Sequence, residues 1–212
     1  VPRSSSISYQ ILPYGPNAWL LQLDNPDDIA ALHTLRKASF QHIQECVVAY
    51  DSLLLTTSSP LTQSQVKALV HDTLQKHTSP DNKQRHHVIE VHYTGPDLQD
   101  LATASKLSIQ EIITLHSSAI YSVRFLGFSA GFAYLDGLPE PLQLPRRSTP
   151  RPKMEPGAVA IGGKHAGIYS TPSPGGWNWL GNTDYPLFHP DRNDHSAFTL
   201  HPGDTLEFRP IS

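Results

Sequence analysis

The sequence predicts an α+β chain in which an N-terminal α/β sandwich domain is followed by a mainly β domain, and three observations carry that prediction. The 19 prolines and 13 glycines are unevenly placed: helix-compatible sequence dominates before Ser118, while Pro and Gly crowd the stretch after Gly127. Up to Tyr93 the pattern reads strand, strand, helix, strand, helix, strand. From Tyr121 onward, short apolar runs such as 159–161 and 206–208 are divided by Gly and Pro turns, the mark of a small β-barrel or sandwich. The domains are drawn at 1–93 and 94–212, the second including two leading helices.

Residues 7–12 and 19–23 are short strand-like runs separated by Pro13, Tyr14, Gly15, Pro16 and Asn17, which favour a turn, so they read as a β-hairpin. Asn25 is placed to cap a helix with Pro26 at its first position and Asp27 and Asp28 in its first turn, where negative charge meets the positive end of the helix dipole. Ile29, Leu32, Leu35 and Ile43 then recur near helical spacing. Residues 47–57, rich in Val, Leu and Thr, supply another strand. Thr62 and Gln65 form a capping box ahead of Val66, Leu69, Val70 and Leu74. Residues 87–93 return as a strand with Ile89, Val91 and Tyr93 on one face, completing the first domain. Pro96 opens a second helical region, and Ser108 with Glu111 makes another capping box ahead of Ile112, Ile113 and Leu115.

A composition of 38% hydrophobic and 17% charged residues with a formal net charge of −3 is ordinary for a soluble globular chain. It gives no global pull toward nucleic acid or membrane, so any anion site must be local. Cys46 is the only cysteine, which excludes an intrachain disulfide and a cysteine-held zinc and fits a cytoplasmic setting. No apolar run approaches the roughly 20 residues needed to span a bilayer. Residues 1–6 have neither the apolar core nor the cleavage pattern of a signal peptide and read as a loose tail. Of the 12 histidines, His86, His87 and His92 lie on or beside one strand, where residues five apart face opposite sides, and no H-E-x-x-H pair exists. No metal site is expected.

The densest unusual stretch is GFSAGFAYLDGLP (127–139), whose glycines allow close backbone approach while Phe128, Phe132 and Tyr134 can wall an apolar pocket. On spacing alone it reads as a buried loop packed by aromatics, because it matches neither a P-loop nor a dinucleotide fingerprint. Its G-x-S-x-G around Ser129 is followed by aromatic and Pro-Gly loop sequence rather than a helix, which argues against a serine hydrolase. PRRSTPRPK (145–153) braces Arg146, Arg147, Arg151 and Lys153 with prolines. Proline lowers the entropy cost of fixing guanidinium groups, each able to grip a carboxylate or phosphate with two parallel hydrogen bonds, so an anion site weighs equally with a solvated basic loop. In residues 161–169 a strand, turn and strand place Lys164 and His165 near the tip, where Lys164 can meet an anion and His165 can move a proton near neutral pH; a solvated turn is the alternative. Trp177, in SPGGW, closes a pocket or fills the barrel, and for a Trp the core is the safer reading.

Taken together, GFSAGFAYLDGLP (127–139), PRRSTPR (145–151), GGKHAGIY (162–169), SPGGWNWLGNT (173–183) and PGDTLEFRPI (202–211) resemble the KipI-like family in order and spacing. VVAYDSLLL (47–55) and GPDLQDLA (95–102) extend the resemblance through the first domain. That family comprises the B subunit of 5-oxoprolinase, formerly allophanate hydrolase subunit 1, and the sensor-kinase inhibitor KipI. The resemblance implies a cyclophilin-like β-barrel after the α/β domain. It implies a role with 5-oxoprolinase subunits A and C in the ATP-dependent hydrolysis of 5-oxo-L-proline to L-glutamate. Inhibition of a sensor histidine kinase, or half of a biotin-dependent carboxyltransferase-like module, are the alternatives. The expected site comprises His165 as catalytic residue and Arg146, Arg147, Arg151, Lys164, Phe128 and Phe132 as substrate contacts. ATP is expected on the complex and is not placed on this chain, where no nucleotide-binding motif is visible. Family members commonly carry glutamine at the position of His165, a difference of charge and donor geometry.

Overall fold

The structure, a computed structural model, describes residues 7–37, 42–76 and 84–212, so the tail expected at 1–6 lies outside the described residues. The chain divides into two compact units, Val1–Lys83 and Gln84–Ser212.

In the first unit β1 (Tyr9–Gly15) and β2 (Ala18–Leu23) form the expected hairpin, with a turn of only Pro16 and Asn17. Pro13 lies inside β1, tolerated because β1 is an edge strand and owes no N–H to a further neighbour. Asn25 accepts from the Asp27 N–H at 3.2 Å and caps a short 3-10 turn, Pro26–Asp28, that leads into α1 (Ile29–Lys37). Two expectations are corrected beyond it. Ile43 does not continue the helix but starts β3 (Ile43–Ala49), and the single strand expected at 47–57 is the hairpin of β3 and β4 (Ser52–Thr57). A helix and a strand can both bury one isoleucine, and Tyr50 and Asp51 carry neither of the glycine or proline signals that mark a turn in sequence. α2 (Gln63–Lys76) opens on the predicted capping box: the Thr62 N–H donates to Gln65 Oε1 at 2.8 Å, and the Gln65 N–H to Thr62 Oγ1 at 3.3 Å. The antiparallel sheet runs β1-β2-β4-β3. Alternation along its strands turns Ile11, Leu21, Leu23, Leu53 and Leu55 inward, with Leu32 and Leu35 of α1 and Val66 and Val70 of α2 also buried.

The second unit is a closed seven-stranded barrel. Its strands are β5 (His86–His92), β6 (Tyr121–Leu126), β7 (Ala133–Asp136), β9 (Ala158–Gly162), β10 (His165–Ile168), β12 (Asn178–Asn182) and β13 (Thr205–Ile211), in the order β10-β7-β6-β13-β5-β12-β9. β8 (Arg151–Met154) and β11 (Ser173–Gly175) pair as a separate ribbon. The strand expected to complete the first domain belongs here instead: β5 runs parallel to β13, with Phe208 opposite Ile89 and Pro210 opposite Val91. Ile89 and Val91 are fully buried in the barrel interior with Leu135, Val159, Ile161, Leu206 and Phe208, each worth about 1.5–3 kcal/mol once removed from water.

α3 (Leu98–Ser105) and α4 (Ile109–Ser118) follow β5, and the second capping box is also present, Ser108 N–H to Glu111 Oε2 at 2.7 Å and Glu111 N–H to Ser108 Oγ at 3.2 Å. The buried Asp204 ties the start of β5 to the approach to β13, accepting from the Arg85 guanidinium at 2.9 Å, the His201 N–H at 2.9 Å and contacting His87 Nε2 at 3.1 Å. Along β9 the alternation splits the strand: Val159 and Ile161 point into the barrel, while Ala158 and Ala160 join Phe132, Met154, Tyr169 and Trp177 in a second apolar layer on the outside of the wall. That outer layer positions the site.

Candidate functional site

The loop between β6 and β7 closes on itself through three backbone hydrogen bonds, Gly127 N–H to Phe132 O, Ser129 N–H to Gly127 O and Phe132 N–H to Ser129 O. So tight a path forces positive φ at Phe128 (68°) and Gly131 (79°). Phe132 is thereby driven into the outer layer at 2% exposure, and Phe128 stands above it at 61%. Their rings meet edge to face with centroids 5.4 Å apart, and Phe132 meets Tyr169 at 5.1 Å and Trp177 at 5.4 Å in the same manner, the arrangement aromatic quadrupoles favour.

These rings enclose a cup of about 240 Å³ lined by Phe128, Phe132, Tyr134, Arg146, Tyr169 and Trp177. The Arg146 guanidinium lies 5.7 Å from the centre of the Trp177 ring, a cation–π distance. Burial pushes the Tyr134 and Tyr169 phenols up in pKa, only partly offset at Tyr169 by the Trp177 backbone N–H and at both by the charge of Arg146, so both stay protonated at neutral pH and available as donors. Three of the residues singled out in the sequence, Phe128, Phe132 and Arg146, therefore share one concavity, with Trp177 as its wall.

The other two arginines go elsewhere. Arg151 holds the Asp97 carboxylate with Nη1 at 2.9 Å and Nη2 at 2.7 Å, and Arg147 Nη1 reaches the same group. The backbone N–H of Trp179 donates to it as well, at 2.7 Å. Asp97 is 1% exposed, and a buried carboxylate demands such partners. Arg151 thus grips a carboxylate in the expected fork geometry and Arg147 adds a single contact, and that carboxylate belongs to the chain itself. Sequence reasoning missed Asp97, because an acidic residue just ahead of a helix reads as an N-cap; its side chain makes no cap hydrogen bond.

Lys164 is exposed at the turn between β9 and β10, which Gly163 enters at φ 60°. His165 is not at the tip but on β10, at 7% exposure, with Nδ1 3.0 Å from Asp136 Oδ1. Arg124 Nη1 donates to the other oxygen of Asp136 at 2.8 Å. Burial alone would raise the Asp136 pKa, but the close contact with His165 and the hydrogen bond and charge of Arg124 outweigh it and hold the carboxyl below its usual range. Arg124, Asp136 and His165 thus form a row across β6, β7 and β10, and the His165 ring lies edge-on to Tyr134 at 6.2 Å. Asp136 and Arg124 were also missed; the strand alternation that puts Asp136 on the face of Tyr134 was the available signal. The buried Ser129 hydroxyl has no hydrogen-bond partner among the described residues. Among the described residues, no group of three or more His, Cys, Asp and Glu is placed to hold a metal ion, and no helix is long and apolar enough to cross a membrane.

Residues 9–198 match the family model of the carboxyltransferase domain, subdomain C and D. The chain is 36% identical over 206 residues to the 5-oxoprolinase B subunit of Haemophilus influenzae, covering 93% of this chain and 96% of that protein. It is 46% identical over 116 residues to the 5-oxoprolinase B subunit of Escherichia coli O157:H7, a match spanning 55% of this chain and 52% of the relative. The crystal structure of TTHA0988 superposes with a TM-score of 0.78 at 32% identity over 92% of this chain, which spans only 39% of that longer one. The chain belongs to the carboxyltransferase domain, subdomain C and D, family, within the KipI-like group that includes the 5-oxoprolinase B subunits.

Proposed function

We propose that the chain is the B subunit of an ATP-dependent 5-oxoprolinase, a cytoplasmic enzyme in which it acts with subunits A and C to hydrolyse 5-oxo-L-proline to L-glutamate. The observation that carries this reading is Arg146 held over Trp177 at the aromatic cup. 5-Oxoproline is a small flat lactam bearing one carboxylate. Aromatic faces suit its ring, the guanidinium suits its carboxylate, and the Tyr134 and Tyr169 hydroxyls are donors for its carbonyl. A cup of about 240 Å³ is smaller than the roughly 300 Å³ at which pockets for drug-sized ligands begin, which favours such a ligand. The names of the relatives supply the substrate and the existence of partner subunits.

In this reading the barrel is cyclophilin-like and its outer wall is one half of a shared active site. His165, oriented by Asp136, is assigned proton transfer, and Lys164, exposed on its turn, meets anionic charge from the solvent side. ATP is bound by the assembled complex and is not placed on this chain. The carboxyltransferase family model favours a second reading, half of a module that handles a carboxyl group borne on biotin.

Coexpression with the two partner subunits, followed by an assay of ATP-dependent glutamate formation from 5-oxoproline, tests both. The complex is expected to release glutamate and the isolated chain none, because the cup shows no nucleophile with its base and orienting partner. Robust release by the chain alone, or carboxyl transfer from biotin by a complex that leaves 5-oxoproline untouched, would overturn the proposal.

A further inference from the structure

We infer that Asp97 is a positioning residue of the aromatic cup: through Arg147 and Arg151 it fixes where Arg146 stands. Asp97 lies outside the cup, and nothing in the proposed chemistry requires it. Yet its buried carboxylate collects Arg147 Nη1, both terminal nitrogens of Arg151 and the Trp179 N–H. Its own backbone N–H donates to the Trp179 carbonyl at 3.2 Å, so the carboxylate is anchored on the strand that follows Trp177.

The arginines it holds bracket the segment that carries Arg146. Arg147 is the next residue and Arg151 ends the segment where β8 begins. The backbone is tied on the same side: the Arg147 N–H donates to Gly176 O at 2.8 Å, and Asn178 Nδ2 donates to Pro145 O at 3.0 Å. Arg146 therefore sits between two tethered neighbours, and the strand they are tethered to leads directly from Trp177, the ring its guanidinium covers. Without the carboxylate two part-buried guanidinium groups would face each other with only the solvent-exposed Asp100, 3.8 Å from Arg147 Nη1, as counter-charge, and the segment would swing outward to hydrate them. The identity of the ligand that Arg146 meets rests on the proposed function; the positioning of Arg146 does not.

The test substitution is Asp97→Asn, which keeps the size and one acceptor oxygen and removes the charge. Trypsin cuts after arginine unless proline follows, so Arg146 and Arg147 are cleavable and Arg151, followed by Pro152, is not. Cutting after Arg146 and Arg147 is expected to be at least about tenfold faster in Asp97→Asn than in the parent chain, with cutting elsewhere unchanged. In the assembled complex, Asp97→Asn is expected to lower kcat/KM for 5-oxoproline nearly as far as Arg146→Ala does. The double variant should then fall no further than Arg146→Ala alone, since the second change removes a group already displaced. If Asp97→Asn does not fold, the charge-free variant Asp97→Asn/Arg147→Gln/Arg151→Gln carries the kinetic measurement and the cleavage after Arg146 alone, with no unpaired buried charge. Unchanged cutting at 146 and 147, a uniform rise in cutting along the chain, or additive losses in kcat/KM would each reduce Asp97 to a general stabiliser and overturn the inference. A complex whose parent form leaves 5-oxoproline untouched overturns the proposed function instead, and the cleavage pattern still decides the role of Asp97.

Discussion

Arg146 and Trp177 meet with the guanidinium carbon 5.7 Å from the centre of the indole ring, which leaves the charge at the cup while the stacked face is shielded from water. An anion entering the cup meets a cation whose position is already set. A charge-assisted hydrogen bond is worth about 1.5–3 kcal/mol, so Arg146→Ala is expected to lower kcat/KM of the assembled complex by roughly one to two orders of magnitude. Arg146→Lys keeps the charge but loses the planar fork and the stacking, so it should recover only part of that loss. Parent-like kinetics in both variants, with complex formation checked by size-exclusion chromatography, would remove Arg146 from the substrate site.

Gly131 tests whether the loop of the cup depends on its backbone path. It sits at φ 79°, and a Cβ there would lie 2.9 Å from Phe188 Cβ and 3.2 Å from Leu187 O. A β-branched side chain adds left-handed strain to that clash, so Gly131→Val should cost at least about 2 kcal/mol and displace Phe132. The expected result is a lowered melting temperature and no turnover in the complex. An unchanged melting curve would show that the loop relaxes freely and that its glycine is incidental.

What the sequence revealed and what it hid divide by the distance between partners. Both capping boxes span three residues, and both are present as read. The barrel strands at Val159 and Leu206 were likewise visible, because an apolar run bounded by Gly and Pro turns is a local signal. The partner of His86 on β13 is 119 residues away, and nothing near β5 says which sheet it joins. Arg147 and Arg151 hid their partner for the same reason. Their number and proline bracing pointed to a carboxylate or phosphate as readily as to a solvated loop, but the carboxylate they bind is 54 residues before Arg151. Phe128, Phe132 and Arg146, which share one concavity, were singled out because aromatic density and charge density are compositional, whereas the row of Arg124, Asp136 and His165 exists only once three strands are laid side by side.

Acid should destabilise the barrel over two pH ranges. His116 is enclosed, stacked on Phe208 at 4.5 Å with Nδ1 2.7 Å from the Tyr93 hydroxyl, and burial pushes its pKa down to about 3. An unfolded histidine takes up its proton near pH 6.5. Between those values the unfolded chain binds a proton that the folded chain refuses, so stability falls as pH drops from about 6.5, by at most about 1.4 kcal/mol per unit. His201, depressed by burial and then by the Arg85 charge, adds to the same limb. Asp204 acts lower: burial alone would raise it, but hydrogen bonds from Arg85, the His201 N–H and His87 hold it below the ordinary carboxylate range, so its contribution is lost only below about pH 4. His116→Gln keeps an acceptor for Tyr93 and does not titrate. Its melting temperature should start lower at pH 7 but fall less steeply between pH 6.5 and 4, and a slope equal to the parent's would exonerate His116.

The role of His165 turns on whether it moves a proton or only supports the wall. Its Nδ1 lies 3.0 Å from Asp136, and Arg124 holds the other oxygen of that carboxylate, so the imidazole is oriented as a general base would be. The same contacts equally well brace Tyr134, whose ring the imidazole meets edge-on at 6.2 Å. Asp136→Asn is a poor discriminator, because it takes the carboxylate charge away from Arg124, 4% exposed in its side chain, and harms folding under either role. His165→Gln separates them. The carboxamide still donates a hydrogen bond toward Asp136 but carries no proton at any working pH. If His165 transfers a proton, kcat of the complex should fall by about 10²–10⁴ with KM little changed, and one limb of the pH profile should disappear. If it only supports Tyr134, kcat and its pH profile should stay as in the parent, and the proton must then come from a partner subunit.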